Sequence, residues 1–379
     1  MQTIRTWAGV DVSAKTLMSR RQRGEVEEER EFSNDRAGHT LMIKWLGRDA
    51  RVCVEATGVY HLQMCLRLRE AEVEVMVLNP RAGKDFARAL MNRSKNDRVD
   101  ARTLLEYLRR MEFSAWQAPG RAVLELRELG RRIGELVHES VDEKNRLHAK
   151  KAAAISKAVV VDVRQHIAQI QRRVAAMENV AMETIEADAD LKAQYDLLVA
   201  VKGIGRRSAI LLLTELAVLD PTMNVRQLVA HAGLDPRIYE SGTSVHRLVR
   251  ISKLGNARIR AILYLVGLTA IRSDRGARSF YRALLARGKK KKQAIVAVMR
   301  KMLHGIWIAL QRRIAFDSAI LFAASLAKAE SSDSAIAATQ PEQERDHPKG
   351  RSKAKELRQQ LEPDPAQATA PRKRTTKAA

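Results

Sequence analysis

The chain has 379 residues, 45% of them hydrophobic, with 68 basic against 44 acidic side chains and a formal net charge of +24. That length gives room for two or three domains with real cores, and the charge excess points to a polyanionic partner, with nucleic acid the first candidate. The two cysteines, Cys53 and Cys65, form neither a CxxC nor a zinc-ligand pattern, which argues against a disulfide or zinc scaffold, and aromatics at 4% argue against base stacking as the main contact.

Two thiols in such a chain fit a reducing cytoplasm. No apolar run approaches the length of a membrane span, the richest being Ala209 to Leu219, which Thr214 and Glu215 interrupt, and no signal peptide opens the sequence. Contact with nucleic acid is therefore expected in the cytoplasm, mainly through phosphates, with a steep salt dependence.

In chain order, Ile4 to Val10 reads as a strand that ends on Asp11. A polar turn (Ser13, Ala14, Lys15) leads into Thr16 to Gln22, then Arg23-Gly24, then Glu25 to Phe32, two antiparallel strands joined by hairpins. A helix around Leu41 to Trp45 returns the chain to the β-branched run Val52 to Val54, which ends on Glu55 before Ala-Thr-Gly. A second apolar run, Val73 to Leu78, closes at Asn79-Pro80. Asp97 and Asp100 follow, three apart on one face of the first turn of a helix with Val99, Leu104, Leu105 and Leu108 on its apolar side. This order of elements is that of a ribonuclease H-like fold.

Asp11, Glu55, Asp97 and Asp100 gather at one end of such a sheet if the strands ending at Asp11 and Glu55 run side by side and parallel. Clustered carboxylates repel one another unless cations share the site. Hard oxygen ligands suit Mg²⁺ or Mn²⁺, and a pair of ions about 4 Å apart clamps the attacking and leaving oxygens of phosphoryl transfer. Each acid alone also reads as a helix cap or a solvated side chain.

Pro119-Gly120 marks a boundary after an α/β domain of residues 1–117. Residues 118–195 carry a heptad run, Val163, Ile167, Ile170, Val174, Met177 and Ala181, preceded by the shorter Leu126, Leu129, Ile133 and Leu136. A helical, coiled-coil arm that pairs with another subunit and a bundle closed within one chain both account for it. Residues 196–327 form a third, mostly helical unit. Leu197 to Val201, Lys202-Gly203-Ile204-Gly205 and Ser208 to Leu216 have the form of a helix-hairpin-helix, in which glycines let backbone N–H groups meet a phosphate; a tight turn between two packed helices is the alternative.

Beyond it lies a glycine-punctuated basic loop region from His231 to Asn256, with Ser241 before Gly242, ahead of an apolar helix (Ile259, Ile262, Leu263, Val266). A serine in a turn is by itself a structural feature. Lys202, Gly203, Gly205, Arg247, Arg250, Lys253, Lys289 and Lys290 are the candidate nucleic-acid contacts, the last two opening a long helix from Ala294 to Leu310. Residues 328–379, rich in Ser, Gln, Glu, Lys and Ala, read as a disordered basic tail.

The segments GVDVSAKT, VEATGVYH, LNPRAGKDFARA and KNDRVDA, with VKGIGRRSAILLLTEL, RQLVAHAGLDP and YESGTSVHRLVRISKLGNARIRAILY further on, together resemble the one-ten family of insertion-sequence transposases. The match covers nearly everything but the tail, in the right order. The departure is Asn96, where the family commonly has Thr. The resemblance implies a RuvC-like domain with an Asp-Glu-Asp-Asp signature on Asp11, Glu55, Asp97 and Asp100, and a second domain in which Ser241 is the nucleophile. It also implies a structured noncoding guide RNA pairing with donor and target DNA, a homo-oligomer of two or four chains, and a bacterial, nucleoid-associated protein. A hydrolytic, structure-specific nuclease of the RuvC type, and a non-enzymatic nucleic-acid scaffold, are the rival readings.

Overall fold

The computed structural model describes residues 5–56, 58–91, 96–153, 156–237, 240–241, 245–246 and 250–327. Two units divide the chain, Met1–Phe322 and Ala323–Ala379, and the elements below belong to the first.

An antiparallel meander opens the fold: β1 (Thr6–Val12), β2 (Thr16–Arg23) and β3 (Val26–Ser33). After α1 (Arg36–Leu46), β4 (Ala50–Glu55) returns beside β1 and parallel to it; after α2 (His61–Glu70), β5 (Glu74–Leu78) lies parallel to β4. The spatial order β3-β2-β1-β4-β5 is consistent with the ribonuclease H-like arrangement expected from the sequence. One detail differs. β1 does not stop before Asp11 but continues to Val12, because Asp11 and Val12 pair with Met18 and Leu17 across the hairpin.

Period-two alternation decides what each face of the sheet meets. Ala8, Val10, Val52 and Val54 point into a core closed by Met42 and Leu46 of α1 and by Met64, Cys65 and Leu68 of α2. The opposite face carries Cys53, Met76 and Leu78, covered by Leu104 and Leu108 of α4 (Asp97–Arg110); α3 (Pro80–Ala89) precedes it. Both helices start as their sequences direct. Asn79 caps α3 ahead of Pro80, and Asn96 caps α4 by accepting from Val99 N at 2.9 Å. The edge strand β3 is blunted by charge, its Glu27 and Glu29 held by Arg20 and its Glu28 by Arg21.

The remainder is helical. α5 (Arg121–Ala153) and α6 (Lys157–Ala187) fold back on one another, with Glu139 facing His166 at 3.5 Å. Ile170, Val174 and Ala181 of the heptad run are buried in the same core as Leu126, Ile133 and Leu136, so this stretch of the seam is consumed within the chain. That core continues through α7 (Ala189–Val199), α8 (Arg206–Leu216), α9 (Val225–His231), α10 (Ala257–Ser273), α11 (Arg275–Ala286) and α12 (Lys291–Arg312). Against the expectation that no apolar run approaches the length of a membrane span, α12 among the described helices has the length and apolarity to cross a membrane. Its Val298, Leu303 and Ile306 are at most 1% exposed, as befits the central helix of a bundle. Between α9 and α10 lie β6 (Pro236–Arg237), β7 (Glu240–Ser241), β8 (Val245–His246) and β9 (Arg250–Ile251), each of two residues.

Candidate metal centre and serine loop

The parallel ladder of β1 and β4 ends with Gly9 opposite Cys53 and Val10 opposite Val54. Asp11 and Glu55 are the next residue on each strand, and alternation turns both toward the face of Gly9 and Cys53, the one under α4. Gly9 is what allows α4 to lie there: a Cβ on it would stand 2.2 Å from Ala101 O and 2.4 Å from Leu105 N. One turn back from Ala101, the first turn of α4 carries Asp97 and Asp100, where the positive end of the helix dipole favours carboxylates. α3 closes the other side, since a Cβ on Gly83 would come within 2.9 Å of Glu55 Oε2.

The charges register on Asp11. Burial first, then the repulsion of Asp100, Asp97 and Glu55, against a hydrogen bond from the Val12 backbone, push its carboxyl up from 3.8 to about 6. The sequence's four acids therefore share one electrostatic field. Among the described residues, no three Asp, Glu, His or Cys side chains are gathered tightly enough to ligate a single ion. In donor chemistry the cluster suits a hard divalent cation, and the repulsion on Asp11 is what such a cation would relieve.

Asn34 is a site residue that the sequence reading did not find. Its Nδ2 donates to Ser13 O at 2.8 Å and to Tyr60 O at 3.2 Å, its backbone N–H donates to Lys15 O, and its Oδ1 accepts from Nε2 of buried His39 at 2.8 Å. One amide thus ties the turn after Asp11 to the turn after Glu55. The neighbour of Asn34, Asp35, caps α1, accepting from Gly38 N.

Ser241 sits on a separate structure. The outer rungs Pro236–Ile251 and Arg237–Arg250 close a loop, inside which Ser241 pairs with Val245 and Glu240 with His246. The side chain of Ser241, and all of Arg247, lie outside the described residues. Of the basic candidates, Lys202, Arg250, Lys253, Lys289 and Lys290 are exposed. The two glycines of the α7–α8 turn differ. Gly203 has φ +104° and sits against α10, where a Cβ would be 3.0 Å from Ala270 N and 3.2 Å from Val266 O; around Gly205 the space is open. For Gly203 the tight turn between packed helices is therefore sufficient explanation.

A mixed sheet with acids converging where its two inner parallel strands end, joined to a strongly basic helical body, defines an enzyme that acts on nucleic acid. Residues 8–150 match the DEDD transposase domain of the IS110 family and residues 195–282 match the family described as transposase IS116/IS110/IS902. The chain belongs to the IS110 family of insertion-sequence transposases. It is similar to the pilin gene-inverting protein of Moraxella bovis, 23% identical over 83% of this chain and 99% of that one. It is also similar to an uncharacterized protein of insertion element IS110 from Streptomyces coelicolor, 26% identical over 32% of this chain and 30% of the other. A putative transposase of Sinorhizobium fredii is 33% identical over 33% of this chain and 32% of its own length.

Proposed function

We propose that this transposase cuts and rejoins DNA with Ser241 as nucleophile and a divalent metal, Mg²⁺ or Mn²⁺, held by Asp11, Glu55, Asp97 and Asp100. The observation that carries the reading is the convergence of the four acids: two at neighbouring parallel strand ends, two on the first turn of a helix laid over them through Gly9. Metal bound there would supply neutralisation of charge developing on the scissile phosphate.

The chain's own part is positional and nucleophilic. Ser241 Oγ forms a bond to phosphorus as the bond to the 3′ oxygen breaks; the hydroxyl proton is lost and the departing oxygen ends as a 3′ hydroxyl. The 5′-phosphoserine conserves the phosphodiester, so attack by a different 3′ hydroxyl rejoins the strand and frees the serine. Hydrolysis would forfeit that bond. A relative named for inverting a gene favours strand exchange, because inversion requires each cut end to find a new partner.

Residues 1–117 supply the acids, 118–195 the arm and 196–327 the serine, the helix-hairpin-helix and the basic contacts, with 328–379 a basic tail. A structured guide RNA chooses donor and target, while the protein holds backbone through phosphates. It works in the bacterial cytoplasm, at the nucleoid. Serine and acids lie in different parts of the fold, and two or four copies assemble so that the site is completed between them.

The test is a denaturing gel of protein incubated with labelled DNA from the element's ends and Mg²⁺. A covalent DNA–protein band is expected from the wild type and from neither Ser241→Ala nor Asp11→Asn. Cleavage without such a band, undiminished in Ser241→Ala, would mean hydrolysis and overturn the reading.

A further inference from the structure

The loop bearing Ser241 grows from two backbone segments, residues 231–237 and 250–256, that are stitched together along their length. Besides the rungs between β6 and β9, Ser252 N donates to Asp235 O at 2.8 Å and Lys253 N to Gly233 O at 3.1 Å. Arg260 reaches back from α10, its Nη1 donating to Ala232 O at 2.8 Å and to Gly255 O at 3.3 Å. At the base, Asn256 N donates to His231 O at 2.6 Å, an approach that Gly255 permits, since a Cβ there would lie 2.1 Å from the same oxygen.

The base of this clasp is moored to a buried charge. Glu215, in the apolar run of α8, is 2% exposed, and Asn256 Nδ2 donates to its Oε2 at 2.6 Å; Arg258 Nε stands 3.9 Å from its Oε1. A carboxylate kept out of water is expensive unless donors meet it, so it marks a place where the fold specifies one geometry over others. Asn256 is fully used. Its Oδ1 accepts from Arg258 N and Ile259 N to cap α10 while its amide N–H₂ holds Glu215. A cap alone needs only an oxygen, and aspartate would serve as well. What asparagine adds is the donor that fastens α10 and the loop's root to α8.

We propose that Glu215 and Asn256 are positioning residues that hold the root of the Ser241 loop in register with the phosphate it attacks. The proposal rests on Ser241 being the nucleophile. Asn256→Asp separates the two roles of the asparagine, keeping the cap and setting carboxylate against carboxylate. Adding Glu215→Gln restores the hydrogen bond with donor and acceptor exchanged.

The experiment measures the single-turnover rate of covalent adduct formation at saturating DNA, alongside DNA affinity and the thermal midpoint. A misplacement of about 1 Å costs about 100-fold, so Asn256→Asp should slow adduct formation by about that factor with DNA affinity unchanged, and the double variant should recover most of it. Ile306→Val, a core truncation on α12, controls for lost stability and should leave the rate alone. If Asn256→Asp does not fold, Asn256→Ser, which keeps a capping hydroxyl too short to reach Glu215, carries the same expectation. An unchanged rate in the single variant, or no recovery in the double, overturns the positioning role while Ser241→Ala still abolishes the adduct. If Ser241→Ala forms adduct as the wild type does, the nucleophile reading itself has failed.

Discussion

Gly9 of β1 lies directly beneath Ala101 of α4, with no room between them for a methyl group. Helix backbone rests on sheet backbone, and this contact sets the height of Asp97 and Asp100 over Asp11. Because the clash would be with main chain, Gly9→Ala must lift the helix rather than turn a side chain aside. Overpacking of this kind costs about 1–3 kcal/mol. The denaturant midpoint should fall accordingly, and strand cleavage by the fraction that remains folded should fall at least about tenfold further, as the lifted acids lose their alignment.

Asp11 yields a prediction about pH in metal-free protein. Its carboxyl is raised from 3.8 to about 6, chiefly by burial and then by its acidic neighbours, so the folded state holds the proton more tightly than the unfolded chain does. Its contribution to stability is therefore fully present below pH 3.8 and is lost as pH rises through about 6. Near neutral pH, Asp11→Asn should raise the unfolding free energy by on the order of 1 kcal/mol, a figure reduced for the partial exposure of the group. The gain should vanish in acid. If Asp11 is one of the metal ligands proposed above, millimolar Mg²⁺ should raise the thermal midpoint of the wild type but not of this variant, since an ion bound to the folded state alone stabilises it.

What the sequence made legible follows from periodicity. The β-branched run Val52 to Val54 and the heptad residues Ile167, Ile170, Val174 and Ala181 each point to buried positions, and those residues are buried. The acids were legible because each stands at an element's end. Single residues that act by reach were not: Asn34 lies between a strand and a helix in the sequence, yet it bridges to Tyr60, 26 positions away. Glu215 reads as a polar interruption of an apolar run, whereas it is a buried anchor for Asn256, 41 positions on. No local pattern encodes a partner at that distance. The long helix expected from Ala294 to Leu310 is there, extended by three residues at its start and two at its end as α12.

Asn34 can be tested through the two turns it joins. Asn34→Ala removes the donor shared by the carbonyls of Ser13 and Tyr60 and the acceptor of buried His39, and a buried group left unsatisfied costs about 1–3 kcal/mol. The unfolding free energy should drop by that amount, and the thermal midpoint with it. More specifically, the Mg²⁺-induced rise of the midpoint should shrink, since Asp11 and Glu55 lie on the strands whose outgoing turns are no longer tied. An undiminished metal response would confine Asn34 to a structural role.

The glycines of the α7–α8 turn should part company under substitution. Gly203 adopts φ +104° and packs against the backbone of α10, so alanine there meets both a left-handed strain and a close contact. Strain of this type costs about 1–3 kcal/mol, and Gly203→Ala should lower the unfolding midpoint in proportion. Gly205 caps α8 at φ −89° with open space around it, a conformation alanine adopts freely. Gly205→Ala should cost about 1 kcal/mol, the ordinary difference between a glycine and an alanine cap, with no added strain. Any loss of DNA affinity in Gly205→Ala, measured as a titration at two salt concentrations, then reports on phosphate contact at the helix N-terminus rather than on folding. Equal affinity at both salts would assign the turn to helix packing alone and leave the DNA grip to the exposed lysines at 202, 289 and 290.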